Sequence, residues 1–194
     1  MSKSEETRAF IIEKTAPIFN KKGYAGTSLS DMTNATSLTK GSIYGNFANK
    51  DEVAMAAFDH NVDKASAVIE YEMAKYKSAK EKILVYGRIY ADSGDYSLPV
   101  GGCPVLNTAT DADDTHPELK AKVSSVIQSW KKKLASIIEE GIRAKEFNRH
   151  TDSELAAFTI LSLIEGGHMI ARVTEKPAYK KAIMNSLRNF VDSL

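Results

Sequence analysis

The sequence predicts an all-α protein of about nine helices: a small N-terminal helix-turn-helix domain of three helices, then a larger helical body. Three observations lead there. Apolar residues recur at spacings of three and four, and the sustained alternation a half-buried strand requires is missing. Five pairs have capping-box spacing: Ser28 with Asp31, Asn49 with Glu52, Ser78 with Glu81, Thr115 with Glu118 and Thr151 with Glu154. Gly23, Gly94, Pro99 and the run VGGCP supply breaks between the periodic segments.

Taken in order, helix 1 is expected over residues 4–22, with Phe10, Ile11, Ile18 and Phe19 on its apolar face and Gly23 ending it. Helix 2 follows over 29–35 and helix 3 over 40–46, separated by Thr36, Ser37 and Leu38. Helix 4 spans 50–77, helix 5 spans 79–93 and closes near Gly94, and helix 6 is short, over 104–113. Helix 7 runs over 116–145, where Val126, Ile127, Trp130, Leu134, Ile137, Ile138 and Ile142 form one stripe. Helix 8 covers 152–173 and helix 9 covers 176–192. The domain boundary is placed between 1–49 and 50–194.

A chain of 194 residues is long enough for such a pair of domains. Charges interrupt every apolar stretch well short of the roughly 18 residues a membrane span needs, and the acidic N-terminus does not read as a secretory signal. A cytoplasmic protein without membrane partners is expected. One cysteine, Cys103, excludes an intrachain disulfide and a cysteine-rich zinc site. Residues 1–50 carry seven Lys/Arg against four Asp/Glu, whereas the remainder carries 19 against 21, which suits an anion-binding N-terminal domain on a mildly acidic body.

The stretch LTKGSIYGNFANK shows what that anion is. Two short helices joined by a three-residue turn form the helix-turn-helix unit, whose second helix enters the DNA major groove. Gly41 removes a side chain where bases approach, Thr39, Lys40 and Ser42 supply donors, and Tyr44 lies toward the backbone. Ile43 and Phe47, at i and i+4, face the core. Asn46 and Lys50 follow the helix, where Lys50 can neutralise a phosphate, and Ser28 sits at the amide-rich start of helix 2.

The run GYAGTSLSDMTNATSLTKGSIYGNFANKDEV, residues 23–53, closely resembles the DNA-binding domain of the TetR family of bacterial transcriptional regulators. Ser37 stands where that family usually has the glycine of the turn, and Met32 and Thr33 where it usually has Ile-Ala. A non-glycine residue carries a penalty at positive φ. Gly45 replaces a side chain often polar or aromatic in relatives. The resemblance implies a homodimer on double-stranded DNA with a palindromic operator, because one such unit reads only a few base pairs.

It further implies a four-helix dimer interface from helices 8 and 9, and a small-molecule effector pocket enclosed by helices 4 to 7. Helix 8 has no charge between Glu154 and Arg172 apart from Glu165 and His168; Leu161, Ile164, Gly166 and Gly167 are its interface candidates. Tyr86, Tyr90, Cys103, Trp130, Phe158 and Met169 are the pocket candidates, since drug-sized ligands are held by aromatic and aliphatic walls. Cys103 lies in a Gly-Cys segment similar to one found in a branch of the family, in some of whose relatives the cysteine takes part in sensing, and is also a candidate for modification, being just before a helix N-terminus.

The residues bear on three other functions. A thiol hydrolase built on Cys103 and His116 lacks an orienting third residue and an oxyanion motif, so no catalytic residue is assigned. Asp111, Asp113, Asp114 and His116 do not share one helix face, so no metal or other cofactor is assigned. A dimeric interaction module without sequence-specific DNA binding is the alternative, suggested by Ser37 and Gly45.

Overall fold

The computed structural model describes residues 2–91 and 96–194. Among them are nine helices and no strand: α1 (Lys3–Gly26), α2 (Leu29–Thr36), α3 (Lys40–Tyr44), α4 (Lys50–Met73), α5 (Ala79–Ala91), α6 (Pro104–Ala112), α7 (Pro117–Arg143), α8 (Ser153–Thr174) and α9 (Pro177–Asp192). The end expected for helix 5, at Ser93 and Gly94, lies outside the described residues. Helix α3 is two residues shorter than the pattern suggested, and α4 stops at Met73 because Lys75 and Tyr76 bond to the carbonyls three residues back.

The chain forms two units, Met1–Ser66 with Leu98–Ser124 and Ala67–Ser97 with Ser125–Leu194. The core of the first joins Ile11, Phe19, Met32, Ile43, Phe47 and Val53, so α1, α2, α3 and the start of α4 share one apolar centre. Regular helix in α1 ends at Lys22 because Gly23 takes φ 73° and ψ 177°. A side chain there would also meet the Asp111 carboxylate, which accepts a hydrogen bond from Tyr24 N–H.

A second anchor lies one turn earlier. The Asn20 side-chain amide donates to Val100 O and Gly102 O, both at 3.0 Å, and Asn107 Nδ2 donates to Asn20 O at 2.9 Å and to Gly101 O at 3.0 Å. Gly101 and Gly102 have φ of 113° and 96°, which turns their carbonyls onto the Asn107 and Asn20 amides. These bonds fix α6 to α1, and the first unit therefore extends beyond residue 49.

Two predicted caps are corrected. Thr115 does not cap α7: its hydroxyl donates to Asp111 O, and His116 Nδ1 accepts from Leu119 N–H at 3.3 Å instead. Thr151 does not cap α8: its hydroxyl donates to Leu194 O, and Asp152 Oδ1 accepts from Leu155 N–H at 3.0 Å. A one-residue slip in each box follows from two adjacent residues that could both serve as caps. Ser28, Asn49 and Ser78 cap as expected, accepting from the amides of Asp31, Glu52 and Glu81.

In the second unit α9 packs on α5 and α8. Gly167 serves this packing, since an added Cβ would lie 2.6 Å from Ile183 of α9. Ile164 is buried within the chain as well. These two interface candidates thus have partners in their own chain, whereas Gly166 has nothing within 4 Å and Leu161 is half-buried. By length and composition α8, of 22 residues, is long and apolar enough to cross a membrane, contrary to the expectation from sequence. Ala156, Ala157, Ile160 and Ala171 are buried, but Leu155, Phe158, Met169, Ile170 and Val173 remain exposed.

Replacing Asn20 with Ala removes the donor for two loop carbonyls in a buried setting, and should destabilise the protein by about 2 kcal/mol. Urea unfolding of the two proteins side by side measures it.

Candidate nucleic-acid interface

Helix α2 begins with a reciprocal box: Ser28 Oγ accepts from Asp31 N–H at 3.1 Å, and Asp31 Oδ2 accepts from Ser28 N–H at 2.8 Å. The Ser28 hydroxyl also donates to Asp31 Oδ2. Lys22 pairs with Asp31 at 2.6 Å and, with the Ser28 bonds, draws that carboxyl down to about 2. Ser28 is therefore an exposed cap whose hydroxyl proton is already used.

The turn after α2 is tight although it lacks glycine. Ser37 adopts the left-handed conformation, φ 55° and ψ 23°. The neighbouring Thr36 hydroxyl donates to Met32 O at 2.8 Å and accepts from Leu38 N–H at 3.3 Å, closing the turn from inside.

Helix α3 starts at Thr39, whose hydroxyl accepts from Ser42 N–H at 3.1 Å. Its inner side is fixed by Ile43 and Phe47, both buried, with Tyr44 half-buried against the same cluster. Thr39, Lys40 and Gly41 are exposed and Ser42 is half-exposed, so the solvent side presents a cation and hydroxyls around a bare backbone. Gly41 has no positive φ, and a Cβ added there would find only Thr39 Oγ1, at 3.9 Å.

The residues after α3 are arranged differently from expectation. Asn46 is held by its own chain: Nδ2 donates to Ser42 O at 2.9 Å and Oδ1 accepts from Ser4 Oγ at 3.2 Å. Lys50 lies with its ammonium 4.3 Å from the Tyr24 ring centre. Tyr24 donates its phenol proton to Asp51, and that bond, with burial, pushes the Tyr24 phenol up to about 12.

Sequence reasoning missed the contribution of α1. Arg8 donates to Asn46 O at 2.6 Å, pairs with Glu52 at 2.6 Å, and places its guanidinium 4.0 Å from the Phe47 ring centre. Glu52 accepts from Ala48 N–H at 2.7 Å, which with Arg8 holds its carboxyl below the usual range. Only contacts distant in sequence reveal this, and no local pattern around Arg8 marks it.

The effector candidates fall in both units. Cys103 belongs to the first unit and is 2% exposed at the residue preceding α6. The others belong to the second. Tyr86 is buried, and burial pushes its phenol well up; Tyr90 is buried with its ring 4.8 Å from that of His168. Trp130 is half-buried, while Phe158 and Met169 are 60% and 46% exposed on the outer side of α8, which places them on its surface rather than on an enclosed wall.

Among the described residues this unit carries open grooves. One, of about 400 Å³, runs between α8 and α9 past Gly166, Gly167, Ile170, Tyr179 and Ile183. Another, of about 530 Å³, has Met73 and Ile137 on its floor and Lys82, Lys133, Glu70 and Glu140 at its rim. None of the six pocket candidates lines either. Asp111 and His116, set aside as metal ligands, serve instead as the acceptor at Tyr24 and the cap of α7.

Two family models match the chain. The one described as bacterial regulatory proteins of the tetR family covers residues 11–57, and the tetracyclin repressor-like C-terminal domain covers residues 80–187. A solved TetR-family transcriptional regulator from Cytophaga hutchinsonii is 51% identical, spans 98% of this chain and 96% of its own, and superposes with a TM-score of 0.95. A TetR transcriptional regulator from Chloroflexus aurantiacus is 34% identical over 98% and 96%, with a TM-score of 0.92. The HTH-type transcriptional regulator TtgR of Pseudomonas putida is 24% identical over 84% of this chain and 79% of its own.

Ser37→Gly should relieve the left-handed strain in the turn and raise stability by about 1 kcal/mol, read from urea unfolding, without displacing α3. A second expectation concerns pH. Burial first, then Arg172 and Lys180, lower the His168 imidazole to about 4. The unfolded chain, at about 6.5, binds a proton that the folded one refuses, so stability rises with pH between those values and falls on acidification. Allowing for the ring's partial exposure, the change is about 2 kcal/mol across that window, and His168→Phe should flatten it in unfolding measured from pH 4 to 7.

Proposed function

The chain belongs to the TetR family of bacterial transcriptional regulators, with a DNA-binding helix-turn-helix and no enzymatic role, and from that premise we propose that it is a homodimeric repressor released from a palindromic operator by a small-molecule effector. On this reading residues 1–49 read DNA, residues 50–194 bind effector and dimerise, and the protein works in the cytoplasm, where the DNA is.

The observation that carries the reading is the solvent face of α3. Glycine in a helix costs about 1 kcal/mol relative to alanine, and neither the conformation nor the packing of Gly41 requires it. Close approach of an outside surface does require it, and Lys40, Thr39 and Ser42 beside it are donors suited to base edges and phosphates. Lys50 and Tyr44 flank this face as backbone contacts, while Ser28 and Asn46 support it through their own-chain bonds.

Dimerisation is supported by the apolar surface of α8. Leu155, Phe158, Ile170 and Val173 are exposed on one helix, and Gly166 leaves open space beside them. A second copy would cover that surface and set two α3 helices about 34 Å apart, one turn of duplex DNA. Release then needs an effector that favours a differently spaced state, for which a coupling of about 1 to 3 kcal/mol changes operator affinity about 5- to 150-fold. Reversible binding is favoured over modification of Cys103 by that thiol's burial.

The test is selection of bound fragments from a random DNA pool, read by sequencing. Enrichment of an inverted repeat is the expected result; no enrichment by the folded protein would leave an interaction module. On the selected duplex, Lys50→Ala should reduce the slope of log affinity against log salt by about one unit. Phe158→Glu should shift the mass measured by light scattering from dimer to monomer.

A further inference from the structure

The geometry points to Arg8 as a positioning residue for sequence recognition: from α1 it fixes the pose of α3, and so which base edges Lys40 and Ser42 can reach. This rests on the DNA-binding reading above. Helix α3 has five residues, too few to hold an orientation by its own backbone bonds. Its start is set by Thr39 and its inner side by Ile43 and Phe47. Its exit is set by Arg8, which bonds Asn46 O with one guanidinium nitrogen and Glu52 with another while covering the Phe47 ring.

Glu52 completes the clasp. Its second carboxylate oxygen accepts from Ala48 N–H, and its own amide donates to Asn49, so the chain between α3 and α4 is pinned on both sides. Ser4, one turn before Arg8, adds a bond to Asn46 Oδ1. Only a planar fork can address a carbonyl, a carboxylate and a ring face together; a lysine ammonium supplies the charge without that geometry. With both side chains of the pair more than a third exposed, the clasp contributes little to global stability. Its effect is on direction: tilting α3 misaligns short hydrogen bonds to base edges, while long flexible cations keep their phosphates.

The experiment compares wild type, Arg8→Lys, Arg8→Ala and Glu52→Gln in the full chain. Each is titrated on the selected operator and on a scrambled duplex of equal length across a salt series, and amide exchange is followed in the free proteins. Arg8→Ala is expected to lose about 10- to 100-fold on the operator. Arg8→Lys should lose nearly as much, with scrambled binding and salt slope unchanged. Exchange should quicken at the amides of Gly45, Asn46, Phe47 and Ala48 but not in the core of α1 or α4.

A salt slope lower by about one on both duplexes would make Arg8 a phosphate ligand and overturn the proposal. Wild-type behaviour of Arg8→Lys would overturn the fork, and faster exchange throughout the first unit would reduce Arg8 to a general staple. Failure of the wild type to select any sequence would refute the function instead, with exchange at residues 45–48 still deciding whether Arg8 holds α3.

Discussion

A helix of five residues cannot keep its shape or direction in water, because the first turn is fixed at the expense of several dihedrals for a single hydrogen bond. Yet α3 must hold both if it is to present Lys40, Gly41 and Ser42 to a duplex. Much of the first unit can be understood as the frame that meets this constraint. Ile43 and Phe47 key α3 into a centre built by α1, α2 and α4. Thr39 caps its start, Thr36 braces the turn before it, and Arg8 with Glu52 braces the turn after it. Around this, Asn20, Asp111 and the paired glycines of the VGGCP run tie α1 to α6.

The second unit answers a different constraint. Helix α8 carries more apolar surface than its own chain covers. Its small residues and branched chains meet α9 on one side, where Gly167 admits Ile183. Leu155, Phe158, Ile170 and Val173 share another side and stay in contact with solvent in a single chain. Exposed apolar side chains grouped along one helix are the ordinary mark of a partner surface, and the proposed homodimer would cover them.

Local chemistry was legible in the sequence, and contacts across long separations were not. The helix-turn-helix was readable because every signal needed for it lies within thirty residues: the Ser28 box, the apolar pair Ile43 and Phe47, and Lys40 between them. Helix order was readable for the same reason. Thr115 and Thr151 misled because each precedes a second residue, His116 or Asp152, able to take the same role, and spacing alone cannot choose between neighbours. Arg8 meeting Asn46, and Asn20 meeting Gly102, join positions 38 and 82 apart, which periodicity does not register. Phe158 and Met169 looked like pocket walls because an aromatic and a methionine on an apolar helix fit a ligand site, a core and an interface equally well.

The distribution of glycine and serine along residues 37 to 41 separates what the fold demands from what lies outside it. At Ser37 the backbone needs a left-handed turn, φ 55°, and the chain supplies a residue that is strained there. At Gly41 the backbone is ordinarily helical, with room for a Cβ, and the chain supplies the residue that weakens a helix. Four positions apart, each choice lowers stability by about 1 kcal/mol, and exchanging the two would raise it on both counts. A sequence shaped by the stability of this unit alone would have the opposite arrangement. Nothing within the chain accounts for Gly41, and its neighbours Lys40 and Ser42 are donors suited to a surface bearing negative charge and hydrogen-bonding edges, as the proposed DNA contact would supply.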